Sequence, residues 1–233
     1  MLGFIRYQLI SYIRSLKIVP PTTMFLIWVV ILYSYSGMEI LSSYAVTSTA
    51  IYIVMTWVSM SNFSIEEEAE KNMLFVQLGK KRYLWGKWIT CILIAIIFMF
   101  FAVFYPIIMS SFKEKIQPIH LCLSIVIHLL LAMFGIIVGS FSSISSFVSK
   151  KYKWLLAVLV IVVTISYEGI VEKLDILKWL FVLFPPVVNI INFFVKDDLQ
   201  YFGKEFWICS AFGFVYSIIA FNVLIYLFLK KES

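Results

Sequence analysis

An all-α integral membrane protein is the fold class that this sequence predicts, and three observations predict it. Hydrophobic residues make up 62% of the 233 residues and charged residues 14%, against roughly 45–50% and about 25% in soluble domains. Several apolar runs approach the roughly 20 residues with which a helix crosses a bilayer. Basic residues collect in the polar segments between alternate runs, as the positive-inside rule describes.

We predict a single transmembrane domain over residues 1–233 that begins with an interfacial helix over 1–18. Arg6, Arg14 and Lys17 lie on a helical arc beside an apolar arc, a pattern typical of helices in the membrane surface. The apolar arc consists of Leu2, Ile5, Leu9, Tyr12 and Leu16. The predicted spans are 21–37, 41–63, 86–109, 119–148, 154–171 and 204–229.

The orientation follows from the basic residues that flank these six spans. Thirteen of the nineteen Lys and Arg residues fall on one side of the membrane and six on the other. Because cytoplasmic segments carry the excess of Lys and Arg, we predict that both termini are cytoplasmic.

Residues 172–203 form an apolar segment that Pro185 and Pro186 interrupt. We predict two short helices that lie on or re-enter the outer leaflet, since proline breaks a helix and irregular backbone is tolerated where protein buries it. A kinked seventh span over 179–195 is the alternative. It would move the C-terminus to the outside.

The longest polar interruption in the first half of the chain is SIEEEAEKNMLFVQLGKKRYLWGKW, which starts at Ser64. Within residues 64–80 we predict a cytoplasmic helix over 65–78. Ser64 and Glu67 have the spacing of a capping box, and Gly79 is suited to end a helix.

This helix is apolar on more than one side, whereas the membrane bundle offers it only one neighbour. We therefore expect it to dock a soluble partner as well. The alternative is an interfacial helix whose acidic residues face water. The predicted docking residues are Glu66, Glu67, Glu68, Glu70, Lys71, Leu74, Phe75 and Leu78.

In its layout the chain resembles the membrane subunits of type-2 ABC exporters, and two motifs carry the resemblance. They are EEEAEKNMLFVQLGKKRYLWGK at the start of span three and FPPVVNIINFF before span six. The resemblance implies that 64–80 is a coupling helix held in a cleft of an ATPase, and that the interfacial helix contacts the same ATPase through Arg6, Arg14 and Lys17. It implies that the re-entrant segment closes the outer mouth. The outer-gate residues are Pro185, Pro186, Asn189 and Asn192.

The small size of the chain is similar to that of bacterial exporters of toxins, peptides or antibiotics, such as the phenol-soluble modulin exporters of staphylococci. The implied function is ATP-driven export of hydrophobic or amphipathic cargo across the bacterial cytoplasmic membrane. The implied partners are an ABC-type ATPase that binds ATP and Mg, a second copy or homologous membrane subunit, and the lipid bilayer, but no nucleic acid. The alternative is an ATP-independent immunity protein that sequesters a peptide toxin in the membrane.

No enzyme activity and no bound cofactor are expected of this chain itself. A phosphate-binding loop needs G-x-x-x-x-G-K followed by a hydroxyl residue. Gly79 and Gly86 have the wrong spacing, and Trp88 stands where the hydroxyl would be. In span four, Gly135 and Gly139 have the small-residue spacing that lets membrane helices approach closely.

Labelling tests the six-span topology. In a cysteine-free background, Asn72→Cys is expected to react with an impermeant maleimide only from the cytoplasmic side, and Lys115→Cys only from the outside. The reason is that the more basic segments stay inside. Reaction of Lys231→Cys from the outside would establish the seven-span alternative instead.

Overall fold

The apolar runs form α-helices in the computed structural model of the chain, which describes residues 1–146, 148–173, 183–195 and 204–232. In lipid, a helix satisfies every backbone donor and acceptor within one segment. The helices are α1 (Leu2–Arg14), α2 (Val19–Leu32), α3 (Ile40–Phe63), α4 (Glu68–Leu78), α5 (Lys80–Ile108), α6 (Pro118–Ile144), α7 (Lys153–Ile165), α8 (Tyr167–Lys173), α9 (Val187–Val195) and α10 (Lys204–Lys231). The all-α prediction is confirmed.

Within the described residues, four helices are long and apolar enough to cross a membrane, namely α3, α5, α6 and the 206–231 part of α10. Two bent pairs each add a crossing if the pair forms one span. One pair is α1 with α2, bent by 78°, and the other is the 150–165 segment with α8, bent by 64°. The chain therefore has the helices of a multi-pass membrane protein with four to six crossings.

Helices α3 and α6 form the centre of the bundle and pack closely through glycines of α6. A Cβ atom on Gly135 would lie 2.5 Å from the carbonyl oxygen of Tyr52, and one on Gly139 would lie 2.4 Å from that of Thr56. Only glycine fits at such distances, so the two backbones approach as small-residue spacing allows. The contact moves four residues forward in both helices, from Tyr52 to Thr56 in α3 and from Gly135 to Gly139 in α6. The two helices therefore run parallel.

Helix α9 follows the two prolines of the apolar segment and packs inside the bundle. Pro185 and Ile190 are buried, whereas Pro186 is half-buried. The Cδ1 atom of Ile190 lies 3.0 Å from where a Cβ of Gly213 in α10 would be. The same glycine position faces Leu130, near the middle of α6. The start of α9 therefore lies level with the middle of the bundle.

The other two predicted gate residues, Asn189 and Asn192, are exposed. The side-chain amide of Asn192 donates a hydrogen bond to Glu168 of α8, so α8 and α9 are joined by a polar contact. The predicted re-entrant segment is described only in part, because 174–182 and 196–203 lie outside the described residues.

The helices differ in length from four of the predicted spans. The helix of the first span ends at Leu32, five residues before the predicted span end, and that of the third starts at Lys80, six residues before the predicted span start. The helix of the fourth span ends at Ile144, because the backbone at Ser145 becomes extended with a ψ of 136°. The segment of the predicted fifth span holds two helices, because α7 ends at Ile165 and α8 turns away.

The close α3–α6 contact makes a packing prediction. Gly139→Ala is expected to lower the thermal unfolding midpoint of the protein in detergent, because its methyl group must push the α3 backbone away, at about 1–3 kcal/mol. Gly3→Ala is the control, since nothing lies within 4 Å of a Cβ at Gly3. Equal midpoints for the two variants would contradict this packing.

Candidate functional site at the basic end of the bundle

The basic end of the bundle is where α3, α6 and α10 stop and α5 and α7 start. Helices α1 and α4 also lie there, and both pack against α5. Gly79 alone separates α4 from α5, and its φ of +81° is a conformation that glycine adopts readily. The chain therefore reverses from α4 into α5 without a loop.

Lys87, near the start of α5, is unusual because its charged side chain is fully buried. Its ammonium lies 2.6 Å from both carboxylate oxygens of Glu66. It also donates to the side-chain oxygen of Gln8 at 2.9 Å and to the backbone oxygen of Asn62 at 2.7 Å. Three acceptor groups thus surround an ammonium that has three protons to donate.

Glu66 is also buried and hydrogen-bonded, like Lys87, and its side chain is 1% exposed. The amide of Gln8 donates to one carboxylate oxygen, and the hydroxyl of Tyr83 donates to the other at 3.1 Å. We call Gln8, Asn62, Glu66, Tyr83 and Lys87 the polar node. It joins α1, the end of α3, the link before α4 and the start of α5.

Glu66, one of the predicted docking residues, is thus buried and paired inside the bundle in this structure. A buried charge is strongly destabilising unless it is paired and hydrogen-bonded, and Lys87 draws the Glu66 carboxylate inward. The predicted capping box is wrong. Ser64 closes α3 and donates its hydroxyl to the Ser61 carbonyl, and α4 begins only at Glu68, without a side-chain cap.

Helix α4 turns its larger apolar side chains toward the bundle. Leu74, Phe75 and Leu78 are half-buried and pack against the core. The ring of Phe75 lies edge-on to the rings of Tyr83 and Phe228, with centroids 5.0 and 5.8 Å apart. These three residues were predicted to bind a partner, and the structure instead uses them to seat α4 on α5 and α10.

The opposite side of α4 exposes its side chains. We call the exposed residues Asn72, Met73, Val76 and Gln77 the α4 outer face. Met73 is 60% exposed and Val76 88% exposed. A docking surface on α4 would therefore consist of these residues.

Of the other predicted charged docking residues, Glu67 is exposed and the remaining three have partners within the chain. Glu70 accepts a hydrogen bond from Tyr7. Lys71 pairs with Glu232. The remaining ion pair, Glu68 with Lys150, is open to solvent, and the hydrogen bond from the Lys150 ammonium lowers the pKa of the Glu68 carboxyl.

The interfacial helix α1 buries one row of side chains against the protein. Its buried residues are Phe4, Gln8 and Tyr12, spaced four apart, while Leu2 is 85% and Leu16 68% exposed. The ring of Phe4 lies 2.3 Å from where a Cβ of Gly86 would be. α1 is therefore positioned by the polar node and by a glycine of α5, which the apolar arc does not reveal.

The three predicted contact residues of this helix, Arg6, Arg14 and Lys17, are exposed. The ammonium of Lys17 donates to the backbone oxygen of Ser64 at 2.6 Å, which ties the end of α1 to the end of α3. Arg6 and Arg14 remain on the outward side of the helix.

A cavity of about 980 Å³ opens beside α4 at the same end of the bundle. Its walls come from α3, α7 and the end of α10, and we call it the basic cavity. Its charged lining residues are Glu66, Glu68, Lys71, Lys150, Lys153, Lys231 and Glu232. Where the structure describes the chain, no group of three His, Cys, Asp or Glu residues could hold a metal ion.

No protein-family model, curated protein or solved structure matches this chain.

The sequence analysis did not single out Gln8, Asn62 or Lys87 as site residues. Two signals pointed to the polar node. Gln8 lies four residues from both Phe4 and Tyr12, so it shares their helical face. An ionisable residue at the start of an apolar helix such as α5 calls for a named partner, and the nearby acidic run supplies Glu66.

The polar node makes a stability prediction. Glu66→Gln is expected to destabilise the protein by about 3–5 kcal/mol, because it leaves the Lys87 charge buried without an anion. Glu66→Gln/Lys87→Met should recover much of that loss. Thermal unfolding in detergent measures both effects.

Glu68→Gln is the matched control, since its ion pair with Lys150 is open to solvent and exposed pairs contribute little. Similar unfolding midpoints for Glu66→Gln and Glu68→Gln would mean that the node does not stabilise the fold.

Proposed function

We propose that this chain is the membrane subunit of an ATP-driven exporter of the type-2 ABC kind. The cargo is hydrophobic or amphipathic: a peptide toxin, an antimicrobial peptide or a drug. The observation that supports the proposal is the α4 outer face, an apolar pair left exposed on a helix whose other side packs against the bundle.

Single exposed apolar side chains need no partner, but Met73 and Val76 lie one turn apart on one face. Asn72 and Gln77 flank them and can form hydrogen bonds with a partner. An ATPase that covers this face would bury the two apolar side chains and be held by a polar rim, the usual anatomy of a protein interface.

The energy comes from the partner in this proposal. The sequence has no glycine loop followed by Lys and a hydroxyl residue, so ATP and Mg bind the ATPase. A movement of α4 would reach α1 and α5 through Glu66, which lies two residues before α4 and contacts Gln8 and Lys87. A partner can shift such an equilibrium only by its differential affinity for the two states.

The proposed setting is the bacterial cytoplasmic membrane, with six spans and both termini inside. In this arrangement α2 carries the first crossing, with α1 in the membrane surface before it, and the 150–165 segment with α8 counts as one span. The chain is half of a transporter and works with a second copy or a homologous membrane subunit and two ATPases.

Binding and transport test this proposal together. An ABC-type ATPase is expected to co-purify with the tagged chain, and the reconstituted complex to move an amphipathic peptide in an ATP-dependent manner. Met73→Glu/Val76→Glu should release the ATPase, because it places two charges at the centre of the apolar contact. Met73→Leu/Val76→Ile is the control that keeps the face apolar and should retain it.

An ATPase that stays bound to the Met73→Glu/Val76→Glu variant with unchanged coupling would contradict the role of α4. Protection of cells against a toxin by the chain without any ATPase would favour the immunity protein instead. ATP-driven export by the purified chain alone would refute the proposal.

A further inference from the structure

The basic cavity carries more positive charge than its own carboxylates neutralise. The three ion pairs of the described residues are Glu66–Lys87, Glu68–Lys150 and Glu232–Lys71. Each carboxylate that lines the cavity is therefore engaged by a lysine other than Lys153 and Lys231. These two lysines are the excess cations of the cavity.

Lys153 and Lys231 both reach the end of α6. The ammonium of Lys153 donates to the backbone oxygen of Ser143, and that of Lys231 donates to the oxygen of Ile144 at 2.8 Å. These are among the last carbonyl groups of α6, which have no partner within the helix. Lys231 also lies close enough to Lys153 to repel it, so an anion between them would be stabilised by both.

Much of the remaining cavity wall is apolar and comes from α3 and α7, both of which expose apolar side chains. Trp57 and Met60 of α3 form one wall, and Trp154, Val158 and Ile161 of α7 form the other. Trp57 is 44%, Trp154 58% and Val158 46% exposed. From Trp154 to Ile161 the helix rises by about 10 Å, which is the length of a substantial part of an acyl chain.

We propose that the basic cavity binds one anionic phospholipid, with its phosphate between Lys153 and Lys231 and an acyl chain along the α7 wall. Basic pockets between membrane helices are suited to anionic headgroups, and tryptophan is enriched where headgroups meet the hydrocarbon. Trp57 and Trp154 line the cavity together with the two lysines, and Trp154 directly follows Lys153 in the chain.

The chemistry favours this ligand over two others. Inorganic phosphate would neutralise the lysines but leave the apolar wall without a partner. A zwitterionic phospholipid would bring its own cation to a site that already has an excess of positive charge. The assignment does not depend on the proposed export function, because it rests on the two excess lysines and the apolar wall of the cavity alone.

Lipid competition tests the site. The protein in detergent is mixed with equal amounts of phosphatidylglycerol and phosphatidylcholine of identical acyl chains, and native mass spectrometry counts the bound lipids. One phosphatidylglycerol is expected with a preference of about thirtyfold, from about 1 kcal/mol for each of two lysines near an anionic headgroup. Lys153→Gln/Lys231→Gln should abolish the preference, whereas Lys81→Gln/Arg82→Gln, which removes two exposed charges outside the cavity, should keep it.

A second measurement on the wild-type protein does not rely on the lysine variants. Phosphatidylglycerol with brominated acyl chains is expected to quench tryptophan fluorescence more than brominated phosphatidylcholine does, and Trp57→Phe/Trp154→Phe should remove the difference. Equal binding of both lipids, or equal loss in both charge variants, would overturn the proposal. Displacement of the lipid by an amphipathic peptide with a free carboxylate would assign the cavity to cargo and overturn it as well.

Discussion

A fully buried lysine requires an anion and further acceptors, and the way in which Lys87 finds them organises the basic end of this protein. Glu66 supplies the anion, and Gln8 and Asn62 supply the remaining acceptors. These residues belong to segments that are far apart in the sequence, so satisfying one ammonium fixes α1, the end of α3 and the start of α5 together. Breaking such a pair costs more than an exposed pair ever contributes.

The position of α4 follows from this constraint. Because Glu66 points inward and Gly79 reverses the chain after Leu78, both ends of α4 are anchored, and its orientation is determined. Leu74, Phe75 and Leu78 then face the bundle, and Met73 and Val76 face away from it. The proposed docking surface is thus a consequence of internal packing, and the same anchoring would transmit a displacement of α4 to the membrane helices.

The centre and the basic end of the bundle are built in different ways. At the centre, Gly135 and Gly139 have no side chain, so the backbones of α3 and α6 contact each other directly. At the basic end, charged and aromatic side chains hold short helices against long ones. Between these regions the basic cavity combines an apolar wall with lysines at its edge, a combination suited to an amphipathic ligand.

The sequence by itself determined the features that depend on local composition. Runs of apolar residues require helices in a membrane, Gly79 ends a helix, and the spacing of Gly135 and Gly139 indicates a close helix contact. It could not determine which side of α1 or α4 is buried, because both helices are apolar on several sides. That choice was made by tertiary structure, in which Lys87 drew Glu66 and Gln8 into the interior and left Val76 outside. A polar residue can be buried only when its partner is in place. The partners of Lys87 are distant in the sequence, since Glu66 is 21 residues away and Gln8 is 79 residues away.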